Sequence, residues 1–342
     1  MHQIITTSEQ GLTRGFRALV LVALVLAGCV ITLGAYVRLS DAGLGCPDWP
    51  GCYGHFLGVP EQDHEVTAAQ QAFPGSSVHA PKAWKEMVHR YAAGTLGLLI
   101  AALTVMSWWP RPRGHAARWT ALLLVLVAMQ AALGMWTVTK LLKPVIVTLH
   151  LLGGMGIWVV LWGLWLRQDR TQGLLHGRVP DWRFVAWGIV VLVLIQVALG
   201  GWTSSNYAAM ACADYPTCQG SWWPDMDWRQ AFTLDRPLGQ TAQGEGLPLS
   251  ALTAIHWAHR WFAVVVVIGV LTWARRLWAI SVLRGYAVAL IVAVLVQLSL
   301  GLLNVFLQWP LNLAVLHNTG AACLLAVALA TAMRVSATRR SM

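Results

Sequence analysis

The sequence predicts an all-α membrane protein with eight transmembrane helices, and its composition is the first reason. Hydrophobic residues make up 57% of the 342-residue chain and charged residues only 11%, whereas a soluble domain carries about 25% charged residues. About 20 consecutive apolar residues are enough to cross a membrane. Eight segments meet this requirement: 16–37, 86–108, 118–139, 145–167, 183–203, 253–274, 283–304 and 311–334.

The distribution of charge predicts how these helices are oriented. The net charge of +10 could by itself suggest a nucleic-acid partner. However, 15 of the 24 basic residues lie at the termini and in alternate short loops, which is the pattern that sets the orientation of membrane proteins. Most acidic residues lie in the other loops. We therefore expect a protein of the cell (inner) membrane with both termini in the cytoplasm, and no nucleic-acid partner.

A repeated cysteine motif indicates that the chain consists of two homologous halves. Residues 46–54 and 212–220 both have the pattern Cys-x-Asp-aromatic-Pro-x-Cys-x-Gly. Twelve residues before the first cysteine of each motif there is a glycine that follows a leucine, Gly34 in one case and Gly200 in the other. The match is too long and too regularly spaced for chance, so it indicates a duplication.

The repeat continues in the other predicted helices. A second pattern, Gln-x-x-Leu-Gly, occurs at residues 130–134, 196–200 and 297–301. A histidine follows the first and the third of these glycines at the same distance of 16 residues, as His150 and His317. The duplication therefore extends over both halves, with an offset of about 166 to 170 residues.

Each half, residues 1–175 and 176–342, contains four predicted spans. A repeat with an even number of spans keeps its orientation, so we expect two homologous four-helix bundles related by a pseudo-two-fold axis along the membrane normal. Four-helix bundles form cofactor sites between facing helices.

Four histidines are candidates for ligands of a metal or haem. They lie at a similar shallow depth, one in each even-numbered span: His89, His150, His259 and His317. A lone histidine in a helix is usually a satisfied polar residue, but two per half at matching depth favour ligation. Two facing imidazoles make a haem iron six-coordinate, whereas a structural zinc site takes four ligands, so haem is the better prediction.

Other ionisable residues lie beside these histidines. Arg90 and Arg260 directly follow candidate ligands and could pair with haem propionates, although snorkelling towards the membrane surface explains them equally well. Glu86 lies three residues before the first candidate ligand, where the second half has His256 instead. A partly desolvated carboxylate can move protons, so we expect the chemistry in the N-terminal half.

The cysteines of the repeated motif lie on the side of the membrane opposite the predicted termini. Cys46 and Cys52, and likewise Cys212 and Cys218, are six residues apart, and such pairs can form disulfides on an oxidising face. Exposed thiols there could instead exchange with a partner. We favour structural disulfides.

These features together resemble the haem A synthase family over essentially the whole chain. The resemblance is carried by Glu86-x-x-His89-Arg90, the other histidines named above, the second His-Arg pair, the paired-cysteine loops and the duplicated eight-span layout. The family's activity implies oxidation of the C8 methyl group of haem O to a formyl group, by successive hydroxylation and loss of water, which makes haem A for cytochrome oxidase.

The resemblance also implies roles for individual residues. Haem O would bind between His89 and His150, a haem b cofactor between His259 and His317, and Glu86 would be the catalytic acid. It further implies a functional role for the cysteines of the first loop. The implied partners are haem O, the lipid bilayer, a haem O synthase and a membrane or quinone-linked electron partner.

Two other functions compete with this hypothesis. The first is a di-haem b-type membrane cytochrome that transfers electrons without chemistry of its own, but electron transfer alone does not require Glu86. The second is a transporter, since duplicated halves also suit alternating access. Transporter sites usually lie near the midplane, whereas the candidate histidines are shallow.

Overall fold

The computed structural model describes residues 14–109, 114–167 and 181–337. Its long helices are, in chain order, α1 (Arg14–Leu39), α2 (Ala80–Trp108), α3 (Gly114–Thr139), α4 (Pro144–Arg167), α5 (Arg183–Ser205), α6 (Leu249–Trp278), α7 (Arg284–Phe306) and α8 (Leu311–Ala337). The described residues form no β-strand. All eight helices are long and apolar enough to cross a membrane, so the predicted all-α, multi-pass membrane fold is confirmed.

Three of the helices begin clearly earlier than the sequence predicts. The starts are Ala80 instead of 86 for α2, Gly114 instead of 118 for α3, and Leu249 instead of 253 for α6. The first turns of α2 contain two lysines and are too polar to be recognised as part of an apolar span, yet they form helix, and Pro81 lies in the first turn, where its missing N–H requires no partner. Glu86 therefore lies about 9 Å along the helix from its start, at ~1.5 Å per residue.

The helices form two four-membered rings. In the first ring α1 packs on α2, α2 on α3, α3 on α4, and α4 back on α1. The helices α5 to α8 repeat the same order of contacts. The rings meet through α1 with α8, α4 with α5, and α4 with α8. A pseudo-two-fold axis would generate this set of contacts, although the predicted boundary between residues 175 and 176 lies outside the described residues.

Two side-chain contacts join residues that are equivalent in the two halves. Arg38 donates a hydrogen bond from Nη2 to the backbone oxygen of Ser204 at 2.7 Å. The hydroxyl group of Tyr207 donates to Asp41 Oδ1, also at 2.7 Å. Both pairs are 166 residues apart, which is the offset of the repeat. Equivalent residues meet where a two-fold axis passes, so these contacts are consistent with the predicted symmetry.

The hydrophobic core lies at the end of each bundle that is remote from the cysteine loops. Phe16, Leu103 and Leu161 are completely buried in the first half, and Val270 and Leu290 are completely buried in the second. At the loop end of each bundle, smaller buried clusters pack the loops against the helices, around Met87 in the first half and Ile255 in the second. The same end contains the cavity described next.

Candidate functional site

One cavity of about 920 Å³ occupies the loop end of both bundles. Typical small-molecule pockets measure about 300–1,000 Å³, so this cavity is at the large end of that range. It is lined by the four candidate histidines, together with Glu86, Arg90 and Arg260. The cavity is continuous across the boundary between the halves, which the sequence did not predict.

Each of the four histidines packs against a glycine of the preceding helix. The pairs are Gly34 with His89, Gly134 with His150, Gly200 with His259, and Gly301 with His317. A Cβ atom added to these glycines would lie only 3.0–3.4 Å from Cε1 of the facing ring. The glycine is therefore required for the close approach of each imidazole.

The histidines of the second half are placed as two axial ligands of one iron would be. The ring centroids of His259 and His317 are 6.5 Å apart and the rings are nearly perpendicular, at 88°. With metal–nitrogen bonds of about 2.0–2.1 Å and roughly 1 Å from nitrogen to ring centre, two axial imidazoles have centroids about 6 Å apart. The observed separation fits a bis-histidine haem.

The unpaired nitrogen atoms of the imidazoles also fit a ligand role. Nδ1 is buried without a hydrogen-bond partner in His89, His150 and His317, although buried polar groups normally have partners. Within the described residues, no three histidine, cysteine or acidic side chains come together as they would around a bare metal ion. Paired imidazoles lining a mostly apolar cavity therefore favour haem.

Two glutamines hold the histidines of the second half. Gln196 Nε2 donates to the backbone oxygen of His259 at 3.1 Å and lies 3.1 Å from Nδ1 of the same ring. Gln297 Nε2 donates to the backbone oxygen of His317 at 2.9 Å. Groups behind a ligand histidine fix its orientation. In the sequence these glutamines only marked the repeat. Their recurrence four residues before a glycine that faces a histidine was the one sign of a role in holding the histidines.

The first half keeps the packing of a glutamine on a glycine, as Gln297 packs on Gly320, but the amide nitrogen of its glutamine makes no hydrogen bond to a described residue. Gln130 packs against Gly153, and its Nε2 atom is buried without a hydrogen-bond partner. At the fourth equivalent position, four residues before Gly34, the chain has Val30. The amide hydrogen bonds to the histidine backbone are therefore found in the second half and not at Gln130 or Val30.

Glu86 is buried, and both of its carboxylate oxygens accept hydrogen bonds. Oε1 accepts from Nη2 of Arg90 at 2.5 Å and Oε2 accepts from the backbone N–H of Cys46 at 3.0 Å. Arg90 Nη1 donates to backbone oxygens of the first cysteine loop, those of Asp48 and Gly51 among them. Glu86 and Arg90 thus fasten the loop over the cavity.

His256 takes the place of Glu86 in the second half. Its Nδ1 lies 3.3 Å from the backbone nitrogen of Cys212, and its Nε2 lies 3.2 Å from Nε of Arg260. A neutral imidazole has a single acceptor nitrogen, so His256 accepts only one of these two hydrogen bonds. Arg260 also donates to the backbone oxygens of Cys212, Asp214 and Thr217. The sequence assigned no role to His256. The propionate contacts expected of Arg90 and Arg260 stay a prediction, because both guanidinium groups bind loop carbonyls.

The disulfides Cys46–Cys52 and Cys212–Cys218 are both formed, as the sequence predicted. Within the second loop, Asp214 accepts hydrogen bonds from the Thr217 hydroxyl group at 2.5 Å and from two backbone N–H groups. These hydrogen bonds lower the pKa of Asp214 from 3.8 to about 2, and the bond from Thr217 has the largest effect. Because the folded-state pKa is depressed, this carboxylate stabilises the loop above about pH 4.

The fold and the site define a class: a multi-pass membrane protein with two four-helix bundles and paired imidazoles suited to haem. The model of a family described as Cytochrome oxidase assembly protein (COX15-CtaA) matches residues 17–329. The chain belongs to this family.

Curated relatives match over most of their length and share one printed name, "Heme A synthase". The protein from Shewanella oneidensis is 41% identical over 306 residues, which are 89% of this chain and 92% of that protein. The protein from Caulobacter vibrioides is 28% identical over 92% of this chain and 94% of its own. That from Novosphingobium aromaticivorans is 28% identical over 87% and 88%, respectively.

Proposed function

We propose that this protein is a haem A synthase that oxidises the C8 methyl group of haem O to a formyl group. Membership of the family and 41% identity to a relative of that name carry the assignment. The alternative of an electron-transfer cytochrome without its own chemistry is not favoured, because the relatives are named as enzymes and Glu86 lines the cavity beside the first histidine pair.

The two halves would bind two different haems. Haem O, the substrate, would lie between His89 and His150, and a resident haem b between His259 and His317. The glutamine contacts support this division, since they hold only the histidines of the second half. A histidine pair with additional hydrogen bonds behind it suits a permanent cofactor, and a pair without them suits a substrate that must enter and leave. When bound, haem b supplies redox chemistry.

Glu86 would move protons for the reaction. Converting a methyl group to an aldehyde removes protons together with electrons, so a proton-accepting group is needed at the substrate. Glu86 is 5% exposed and lies three residues before His89 on α2. Its hydrogen bonds to Arg90 and to Cys46 fix its orientation. The loop that carries Cys46 also lines the cavity through Trp49 and Pro50, where it would exclude bulk water.

The proposed setting is the cell (inner) membrane with the cysteine loops on the outer face and both termini in the cytoplasm. Basic residues support it: Arg167, Arg183, Arg275, Arg276 and Arg284 lie at the helix ends remote from the loops. The two termini themselves lie outside the described residues. The proposed partners are a haem O synthase, which supplies the substrate, and a membrane or quinone-linked electron carrier.

The direct test is to express the full chain beside a haem O synthase in cells without another source of haem A. Mass analysis of the extracted haems should detect haem A. The His89→Ala variant should accumulate haem O instead, because it lacks a proposed substrate ligand. If the unaltered chain yields only haem O, the proposed function is wrong.

Replacing Gln196 with valine, the residue found at the equivalent position 30, should loosen the haem of the second half. Losing a group behind a ligand histidine typically lowers metal affinity about 10–100-fold. We expect Gln196→Val protein to retain less haem on purification and to bind carbon monoxide when reduced, since an axial histidine is more easily displaced. The reciprocal Val30→Gln variant should retain more haem. Unchanged haem content and carbon monoxide binding in both variants would contradict this role.

A further inference from the structure

Arg38 is the third arginine that lines the cavity within the described part of the chain, after Arg90 and Arg260. The other two are occupied: the three nitrogens of Arg260 all donate to His256 or to loop carbonyls, and both terminal nitrogens of Arg90 are bonded. They have little capacity for a further ligand. Arg38 differs in this respect.

The position of Arg38 relates it to both histidine pairs. It lies on α1 one turn beyond Gly34, the glycine that contacts His89, and four residues advance the helix by about 6 Å on the same face. Its guanidinium group reaches across the pseudo-two-fold axis to the backbone of Ser204. Ser204 lies one turn beyond Gly200, which contacts His259 in the other half. The cation is therefore between the two sites.

Much of the hydrogen-bonding capacity of Arg38 is unused. An arginine has five N–H donors, of which Nη2 donates to Ser204, while the Tyr207 hydroxyl group lies close to the guanidinium group and Nε is buried without a partner. Asp41 is 3.9 Å from Nη1, too far for a hydrogen bond, and its carboxylate already accepts from Tyr207. The guanidinium carbon lies 4.1 Å from the centre of the Tyr207 ring.

Asp41 is the ion-pair partner of Arg38, but its carboxylate is 61% exposed and makes no hydrogen bond to the guanidinium group, so this largely buried cation can take a second anion. The Arg38 side chain is only 12% exposed, and the cavity beside it is otherwise mostly apolar. Planar guanidinium groups match carboxylates in a bidentate geometry, and the carboxylates that a haem would bring into this cavity are its propionates. We propose that Arg38 binds a haem propionate at the boundary between the two halves.

This inference rests on the proposed function, because it requires haem in the cavity. A helix C-terminus also favours a cation, and the bond to Ser204 joins the halves, so a purely structural role is the competing explanation. The two explanations differ in one respect. A structural arginine does not distinguish a haem with free propionates from a haem whose propionates are esterified.

The test measures binding of iron protoporphyrin IX and of its dimethyl ester to the full-length protein purified from haem-starved cells. The His259→Ala background isolates the first site and the His89→Ala background isolates the second. In the site whose propionate Arg38 binds, Arg38→Gln should weaken binding of the free acid by about 10-fold or more, because a charge-assisted bond is lost. Binding of the dimethyl ester should be unaffected. Arg38→Lys should weaken binding of the free acid less than Arg38→Gln does.

The matched control is Arg118→Gln, which removes the same charge from an exposed site on α3. It should leave both affinities unchanged. If Arg38→Gln weakens the acid and the ester equally, or neither, in both backgrounds, the propionate role is wrong while the haem sites stand. If neither background binds either haem, the proposed haem sites and this inference fail together.

Discussion

Replacing Glu86 with histidine should abolish haem A formation while haem binding and the first disulfide loop are preserved. The reason is that the chain itself carries a histidine at the equivalent position. His256 lies between the N–H of Cys212 and Arg260, as Glu86 lies between Cys46 and Arg90, although a neutral imidazole accepts only one of its two bonds. The substitution therefore removes the carboxylate from a position where an imidazole fills the same space and keeps one of the two loop contacts.

The expected loss is large because a positioned acid or base typically contributes about 10²–10⁴-fold to a rate. Haem A formation by Glu86→His protein should be measured by mass analysis in the co-expression system, beside total haem content and the absorption spectrum. Spectra like those of the unaltered protein would show that the histidine ligands are intact. Loss of activity would then be due to the carboxylate and not to collapse of the loop.

The reciprocal variant His256→Glu is the matched control. It introduces a carboxylate beside the second site but leaves Glu86 in place, so haem A formation should persist. The Glu86→Ala protein should be less stable than the Glu86→His protein, since it leaves Nη2 of Arg90 and the N–H of Cys46 without a partner. An unsatisfied buried group costs about 1–3 kcal/mol. Retention of substantial activity in Glu86→His protein would show that Glu86 is a structural residue only.

The sequence was sufficient for the features that repeat along the chain. Each span is a long apolar segment, and the bilayer permits few alternatives to a helix for such segments. The duplication could be recognised from short motifs with fixed spacing. The histidines stood out because ionisable residues are rare inside membrane spans. The eight helices and the pairing of two histidines in each half follow from these patterns, whereas the single cavity that joins the two pairs does not.

Features that depend on which atoms meet in three dimensions could not be predicted. For Arg90 and Arg260 the sequence left propionate pairing and snorkelling equally open, and it did not predict that their guanidinium groups bind carbonyls about 40 residues away in the chain. His256 received no role because its partner, the N–H of Cys212, lies in a loop whose path the sequence does not specify. Arg38 was not considered, because an arginine at a helix end has no distinguishing pattern.

Replacing Gly200 with leucine should remove haem from the second half of the protein. A Cβ atom at this position would lie 3.1 Å from Cε1 of His259, so the larger side chain must displace the ring or the helix. Overpacking of this kind costs about 1–3 kcal/mol, and a displaced imidazole cannot lie opposite His317. We expect a haem content lower by one site and loss of the bis-histidine spectrum of that site.

Gly188→Leu is the control for this substitution because Gly188 lies on the same helix and no atom is within 4 Å of a Cβ placed there. Leucine favours helix over glycine by roughly 0.8–1 kcal/mol, so both variants gain equally in helix propensity. Only Gly200→Leu should lose haem, measured as haem per polypeptide in detergent. Gly34→Leu should act in the same way on the first half and leave the second haem bound. Equal haem content in Gly200→Leu and Gly188→Leu proteins would show that the imidazole of His259 does not hold a haem.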